Sequence, residues 1–261
     1  MAEFYIFLAL GLVAGLGAGL LGIGGGTITL PILYFLLRDL GLPSDTLMQV
    51  VIGTTFAAMT MNALVSMLTH HFLSNVSWKV IVTMLPGLIL GPIVGAFIAS
   101  VLHSYILRYA FGAVQCLLAI YFFTPHKEQD PYQPAPILLN IASFVIGTIG
   151  SILGIGGGAF LVPTLMYLNF PMKRAIGTSA AGTFLMISLA TVCYLFFGLS
   201  REAHAEGQAG FIYLPALLPL GISSVVGAAL GAYFMKYVPI NPLRKIFALV
   251  QAGLGLSLFF G

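Results

Sequence analysis

Long apolar runs separated by short polar stretches are the dominant pattern along the chain. The apolar segments cover about 4–23, 26–37, 46–69, 79–102, 105–123, 137–153, 157–169, 175–199, 211–235 and 241–260. They are apolar on every side, with none of the alternation over about 10 residues that marks a transmembrane β-strand. The pattern predicts helices, most of which approach or exceed the roughly 20 residues that span a bilayer. Two segments, 26–37 and 157–169, are too short to cross alone, and each follows directly on a glycine run. The most polar stretches are 38–45, 70–79, 124–136 and 199–209.

Composition strengthens this reading. Of 261 residues, 59% are hydrophobic and only 7% charged, against about 25% charged in a soluble domain. So few charges cannot cover the surface of a soluble protein of this size. The expected class is an all-α polytopic membrane protein, which excludes a soluble enzyme, a disordered tail and a nucleic-acid binder. A net charge of +3 is too small to imply a polyanionic partner. Cys116 and Cys193 both lie inside apolar runs, so no disulfide framework is expected. The N-terminus lacks a basic region and a small-residue cleavage site, so the first segment is read as a retained membrane helix. The expected location is the plasma (inner) membrane of a bacterium or archaeon. The expected partners are the lipid bilayer and a small solute, with a homo-oligomer left open.

The chain repeats itself. Leu21-Gly22-Ile23-Gly24-Gly25-Gly26 recurs as Leu153-Gly154-Ile155-Gly156-Gly157-Gly158, and Pro31 matches Pro163, at an offset of 132. Gly53-Thr54-Thr55 recurs as Gly177-Thr178-Ser179 at an offset of 124. Gly91 and Gly95 match Gly227 and Gly231, and Arg108, Phe111, Val114 and Gln115 match Arg244, Phe247, Val250 and Gln251, at an offset of 136. The order is kept while the offset drifts, as loop insertions would produce. The expected organisation is a first transmembrane repeat over 1–123, a proline-rich linker over 124–136 and a second repeat over 137–261.

The paired G-I-G-G-G runs, each with a proline five residues after the last glycine, resemble the TauE/SafE family of membrane permeases. The later Gly-Thr-Thr and Gly-Thr-Ser elements agree, and the resemblance covers nearly the whole chain. It implies export of small sulfur-containing anions such as sulfite, sulfoacetate or a related sulfonate.

The residues themselves support an anion site. A glycine run inside an apolar helix frees backbone groups that lipid cannot satisfy, so the break must face protein or a water-filled cavity. Matching short, glycine-interrupted segments in two halves point to a transporter site. The helices restarting at Thr27 and Ala159 would aim their N–H groups and positive dipole ends at the breaks. Candidate solute contacts are therefore Gly22, Gly24, Gly25, Gly26 and Thr27, with Gly154, Gly156, Gly157 and Gly158. A polar stripe of Thr55, Asn62, Ser66 and Thr69 shares one helical face. Its counterpart, Ser179, Thr183, Met186, Ala190 and Cys193, is weaker. Thr54, Thr55, Asn62, Thr178 and Ser179 either contact solute or hydrogen-bond between helices. Gln115 and Gln251 line the pathway or lock the two halves together. Gly11, Gly15, Gly19 and the two Gly-x-x-x-Gly pairs read as close-packing positions.

Absences sharpen the picture. No Asp, Glu, Lys or Arg lies in 46–69, 137–153, 157–169 or 175–199, although intramembrane ionisable groups usually mark ion paths. The five histidines sit at segment ends or in loops, and His70-His71 alone is too few ligands for zinc. No metal or cofactor is expected. Gly17-Ala-Gly-Leu-Leu-Gly22 fits a dinucleotide fingerprint in letters but lacks the βαβ context. A duplicated, charge-free core favours a transporter over an intramembrane enzyme. A small-solute or ion channel is the alternative within transport. Positive-inside counting gives seven basic residues against three for either parity of crossings, so it does not decide. Odd crossings are preferred, because they invert the second half and let both breaks meet near the midplane.

Overall fold

The computed structural model describes residues 2–21, 25–123, 135–168, 170–200, 206–234 and 240–260. They form ten helices: α1 Ala2–Leu21, α2 Gly26–Asp39, α3 Leu47–Phe72, α4 Trp78–Val101, α5 Ser104–Phe123, α6 Pro136–Leu153, α7 Gly158–Tyr167, α8 Met172–Leu199, α9 Leu214–Phe234 and α10 Ile240–Phe260. Six of them, α1, α3, α4, α6, α8 and α9, hold stretches long and apolar enough to cross a bilayer. The protein is a multi-pass integral membrane protein. Helices α2 and α7 have 14 and 10 residues. At 1.5 Å per residue they extend about 21 and 15 Å, short of a hydrocarbon core about 30 Å thick.

Each apolar segment becomes a helix, with one correction. The segment expected over 211–235 does not start as a helix. Strands β1 Gln208–Ala209 and β2 Ile212–Tyr213 pair as a small antiparallel hairpin, and α9 begins at Leu214. Gly207 and Gly210 adopt φ of 79° and 55°. Those left-handed turns bend the backbone back on itself, so the apolar Phe211 and Ile212 cannot continue a helix. The proline-rich linker lies almost wholly outside the described residues, and Pro136 at its end opens α6.

Packing runs mainly between the two repeats. Helix α4 lies parallel to α6: Gly87 meets Asn140 and Ser143, Gly91 meets Phe144 and Thr148, and Gly95 meets Thr148 and Ser151. Helix α1 lies parallel to α9 in the same way, with Gly227 against Leu12 and Leu16, and Gly231 against Leu16 and Gly19. Subtracting 132 from the α6 partners of Gly91 and Gly95 gives the α1 partners of Gly227 and Gly231. Glycine lets these backbones touch, which is how helices associate where hydrophobicity offers no drive.

Helix α3 runs antiparallel to α8, its own repeat counterpart. Phe56 meets Tyr194 with ring centroids 5.9 Å apart, and the hydroxyls of Thr60 and Thr191 lie 3.4 Å apart one turn on. Helix α5 runs antiparallel to its counterpart α10, with Tyr109 stacked on Phe259 at 5.6 Å and Gly112 against Gly255. Every residue of α3 from Leu47 to Met59 is buried, so this half-helix is the centre of the molecule.

The close crossings set a stability test. A Cβ at Gly91 would lie 2.6 Å from the Phe144 carbonyl oxygen and 3.0 Å from the Gly147 Cα, whereas one at Gly253 meets nothing within 4 Å. Gly91→Ala should lower stability by about 1–3 kcal/mol through overpacking, and Gly253→Ala should not. Thermal unfolding of both variants in detergent checks the difference.

Candidate functional site

Both short helices start at a glycine. Gly25 is the N-cap of α2 and Gly157 the N-cap of α7, neither with a side-chain capping bond. The Gly25 carbonyl accepts from the N–H groups of Ile28 and Thr29, and the Gly157 carbonyl accepts from Phe160 and Leu161. Helix geometry leaves the earlier N–H groups, those of Gly26 and Thr27 and of Gly158 and Ala159, without an intrahelical acceptor. Each start is therefore a cluster of donors at the positive end of a helix dipole.

In the second repeat the break is a tight left-handed path. Gly154 ends α6 at φ 72° and Gly156 follows at φ 73°, a conformation that a side chain would strain. The Ile155 N–H returns to the Gly150 carbonyl at 3.1 Å. Of the first break, Gly22 and Gly24 lie outside the described residues.

The two breaks meet. A Cβ at Gly26 would lie 2.9 Å from the Gly154 carbonyl oxygen, 3.5 Å from that of Ile155 and 3.6 Å from the Thr55 methyl. Gly154 in turn packs on Leu30 of α2 and Ile52 of α3. Beside them is a crevice lined by Phe56, Gly150, Ser151, Gly156, Gly157 and Met186, too narrow for a water-sized sphere. No ionisable side chain lines it. Among the described residues there is also no cluster of three or more His, Cys, Asp or Glu side chains that could hold a metal.

The polar residues singled out in the sequence divide into two groups. Thr27, Thr55 and Ser179 are buried, and their hydroxyl oxygens have no partner among the described residues. Thr54 and Thr178 are engaged elsewhere. The Thr54 hydroxyl accepts the Tyr213 N–H at 2.8 Å, and the Thr178 hydroxyl accepts the Ser77 N–H at 3.0 Å. These are one contact made twice: 54 and 178 differ by 124, and 77 and 213 differ by 136, two of the three offsets of the sequence repeat. The preceding glycines follow suit, Gly53 lying against the Phe211 carbonyl and Gly177 against that of Asn75. Each Gly-Thr pair thus clamps the segment that leads into a helix of the other repeat.

Asn62 is buried on α3. Gln115 donates its amide to the Thr27 carbonyl, tying α5 to α2, and its side chain packs against Gly255 of α10. Gln251 is fully buried, and neither atom of its amide has a partner among the described residues.

Four residues near the breaks were not singled out as contacts. Met59 covers Gly25, and Met186 and Thr183 cover Gly157, while Phe56 joins the crevice to the hairpin. Phe56 meets Tyr194, and Tyr194 meets Phe211 with centroids 6.3 Å apart. The buried Tyr194 hydroxyl also donates to the Ser151 carbonyl at 2.9 Å. Thr183 and Met186 were visible as members of a weak stripe, but Met59 and Phe56 carried no polar signal.

The whole-chain match decides the family. The family model described as "Sulfite exporter TauE/SafE" matches residues 7–258. The chain belongs to the TauE/SafE family. It is similar to a probable membrane transporter protein of Haemophilus influenzae, 31% identical over 254 residues, covering 97% of this chain and 96% of that one. A probable membrane transporter protein of Methanocaldococcus jannaschii is 26% identical over 268 residues, covering 97% and 96%. One of Bacillus subtilis is 28% identical over 280 residues, covering 99% and 98%. This TauE/SafE chain is a membrane transporter.

The clamps generate a paired prediction. Thr54→Val and Thr178→Val each leave a backbone N–H without its acceptor, which costs about 1–3 kcal/mol when buried. Each variant should lose thermal stability in detergent by a similar amount. A large loss at one site and none at the other would show that the two clamps are not equivalent.

Proposed function

We propose that this transporter exports a small sulfur-containing anion, sulfite, sulfoacetate or a related sulfonate, bound where the two glycine breaks meet near the bilayer midplane. One observation carries the reading: the N-terminus of α2 and the second break adjoin at the buried centre, beside the unpartnered hydroxyls of Thr27 and Thr55. Donor-rich helix starts and hydroxyls can replace the hydration shell of an oxyanion without a fixed positive charge.

The repeat contacts support inverted halves, each half supplying one break. A helix packed antiparallel to its own repeat counterpart is related to it by an axis perpendicular to both. The pairs α3 with α8 and α5 with α10 are of this kind. With helices near the membrane normal, such an axis lies in the membrane plane, the arrangement of alternating-access transporters. The closed crevice favours such a carrier over an open channel.

Export of an anion from a cell negative inside runs downhill, by about 2.3 kcal/mol per charge per 100 mV. Purified protein in liposomes loaded with sulfite, sulfoacetate, sulfate or acetate tests this, with potential and pH gradient clamped separately. Efflux of the sulfur anions that rises with an outward-driving potential is expected. Flux that ignores potential and follows a pH or Na⁺ gradient would overturn uncoupled export, and no flux of any sulfur anion would overturn the substrate class.

A further inference from the structure

The side chains that cover the two N-caps differ, although the scaffold around them is built from matching contacts. At the second break the N-cap, Gly157, is covered by side chains. A Cβ there would lie 2.5 Å from the Met186 sulfur, 3.0 Å from a Leu161 methyl and 3.3 Å from the Thr183 hydroxyl oxygen. Thr183 is 7% exposed, and its hydroxyl oxygen is buried without a partner. A buried hydroxyl left unbonded is costly, and this one is aimed at the donor end of a ten-residue helix.

The repeat makes the difference sharper. Subtracting 124 from position 183 gives Met59, so the first repeat has a thioether where the second has a hydroxyl. Met59 covers Gly25, with its sulfur 2.9 Å from where a Cβ would stand. Each N-cap is thus covered by a methionine sulfur, and the second also by the Thr183 hydroxyl, which can donate a hydrogen bond to a solute.

We propose that the oxyanion group of the solute docks at the start of α7, where the N–H groups of Gly158 and Ala159 and the Thr183 hydroxyl donate to it, and that Met186 is the side chain it displaces. This rests on the anion-transport reading above and names the half of the site that holds the charge. Met186 is suited to the task because an unbranched side chain with three rotors can swing aside without moving its helix. Its departure opens the crevice toward Phe56 and Ile187. Those apolar walls suit the non-ionic face of a small sulfonate and offer nothing to a second charge. The ligand class is therefore a compact anion with one oxyanion head, which favours sulfite or a monosulfonate over the doubly headed sulfoacetate.

Sulfite efflux from liposomes reads this out in wild type, Thr183→Val, Thr183→Ser and Met186→Ala. Loss of a hydrogen bond to a charged group should raise the KM of the Val variant about tenfold, with its maximal rate and membrane abundance unchanged. The Ser variant, which keeps the hydroxyl, should stay within about twofold of wild type. Met186→Ala should raise the rate for bulkier sulfonates relative to sulfite. Where the Val variant does not insert, Thr183→Ala supplies the same comparison with Ser. A hydroxyl-free variant with wild-type KM overturns the docking position while leaving anion transport standing. Wild-type protein that moves no sulfur anion overturns both.

Discussion

A helix interrupted inside hydrocarbon must find protein partners for every backbone group the break exposes. Here two such breaks serve one another. The second break turns through Gly154 and Gly156 in left-handed conformation, and its carbonyls are turned to the start of α2. Leu30 and Ile52 close over Gly154, so the turn is surrounded by both repeats and by no lipid. The long helices pair across the repeats, α1 with α9 and α4 with α6, along glycine rows that bring backbones into direct contact.

The clamps at Thr54 and Thr178 belong to the same solution. The segments entering α4 and α9 pack against α8 and α3. Their free N–H groups at Ser77 and Tyr213 end on threonines of the opposite repeat. On the hairpin side the contact continues inward: Phe211 seats on Tyr194, Tyr194 on Phe56, and Phe56 lines the crevice. The Tyr194 hydroxyl meanwhile holds the Ser151 carbonyl of α6. A shift of the hairpin is thereby felt at the crevice through packed rings, which deform little and move as a unit.

Much of this was legible from the residues. Apolar runs locate ten helices, because a helix in lipid needs little beyond length and hydrophobicity. The hairpin at 208–213 was hidden because Phe211 and Ile212 read as the start of an apolar run. Only Gly207 and Gly210, three residues apart, hinted at the turns. The glycine breaks were legible as interruptions. The partners of Thr54 and Thr178 were not, since those partners are backbone N–H groups of Ser77 and Tyr213, and a backbone donor leaves no mark in a sequence. Thr183 was visible only as one hydroxyl in an apolar stripe. Its position against Gly157 depends on how far α8 slides along α7, which no pattern in one chain reports.

A duplicated scaffold whose two N-caps are covered by different side chains has a consequence for how the proposed transport would cycle. Inverted halves can exchange conformations so that a central site opens first to one side and then to the other. If both breaks bound the anion equally, two solutes could compete for adjacent dipole ends, and repulsion between them would empty the site. A single oxyanion subsite avoids that conflict. Under the docking proposed above, position 183 carries a hydroxyl where position 59 carries a thioether, so the two halves need not bind alike while they exchange conformations.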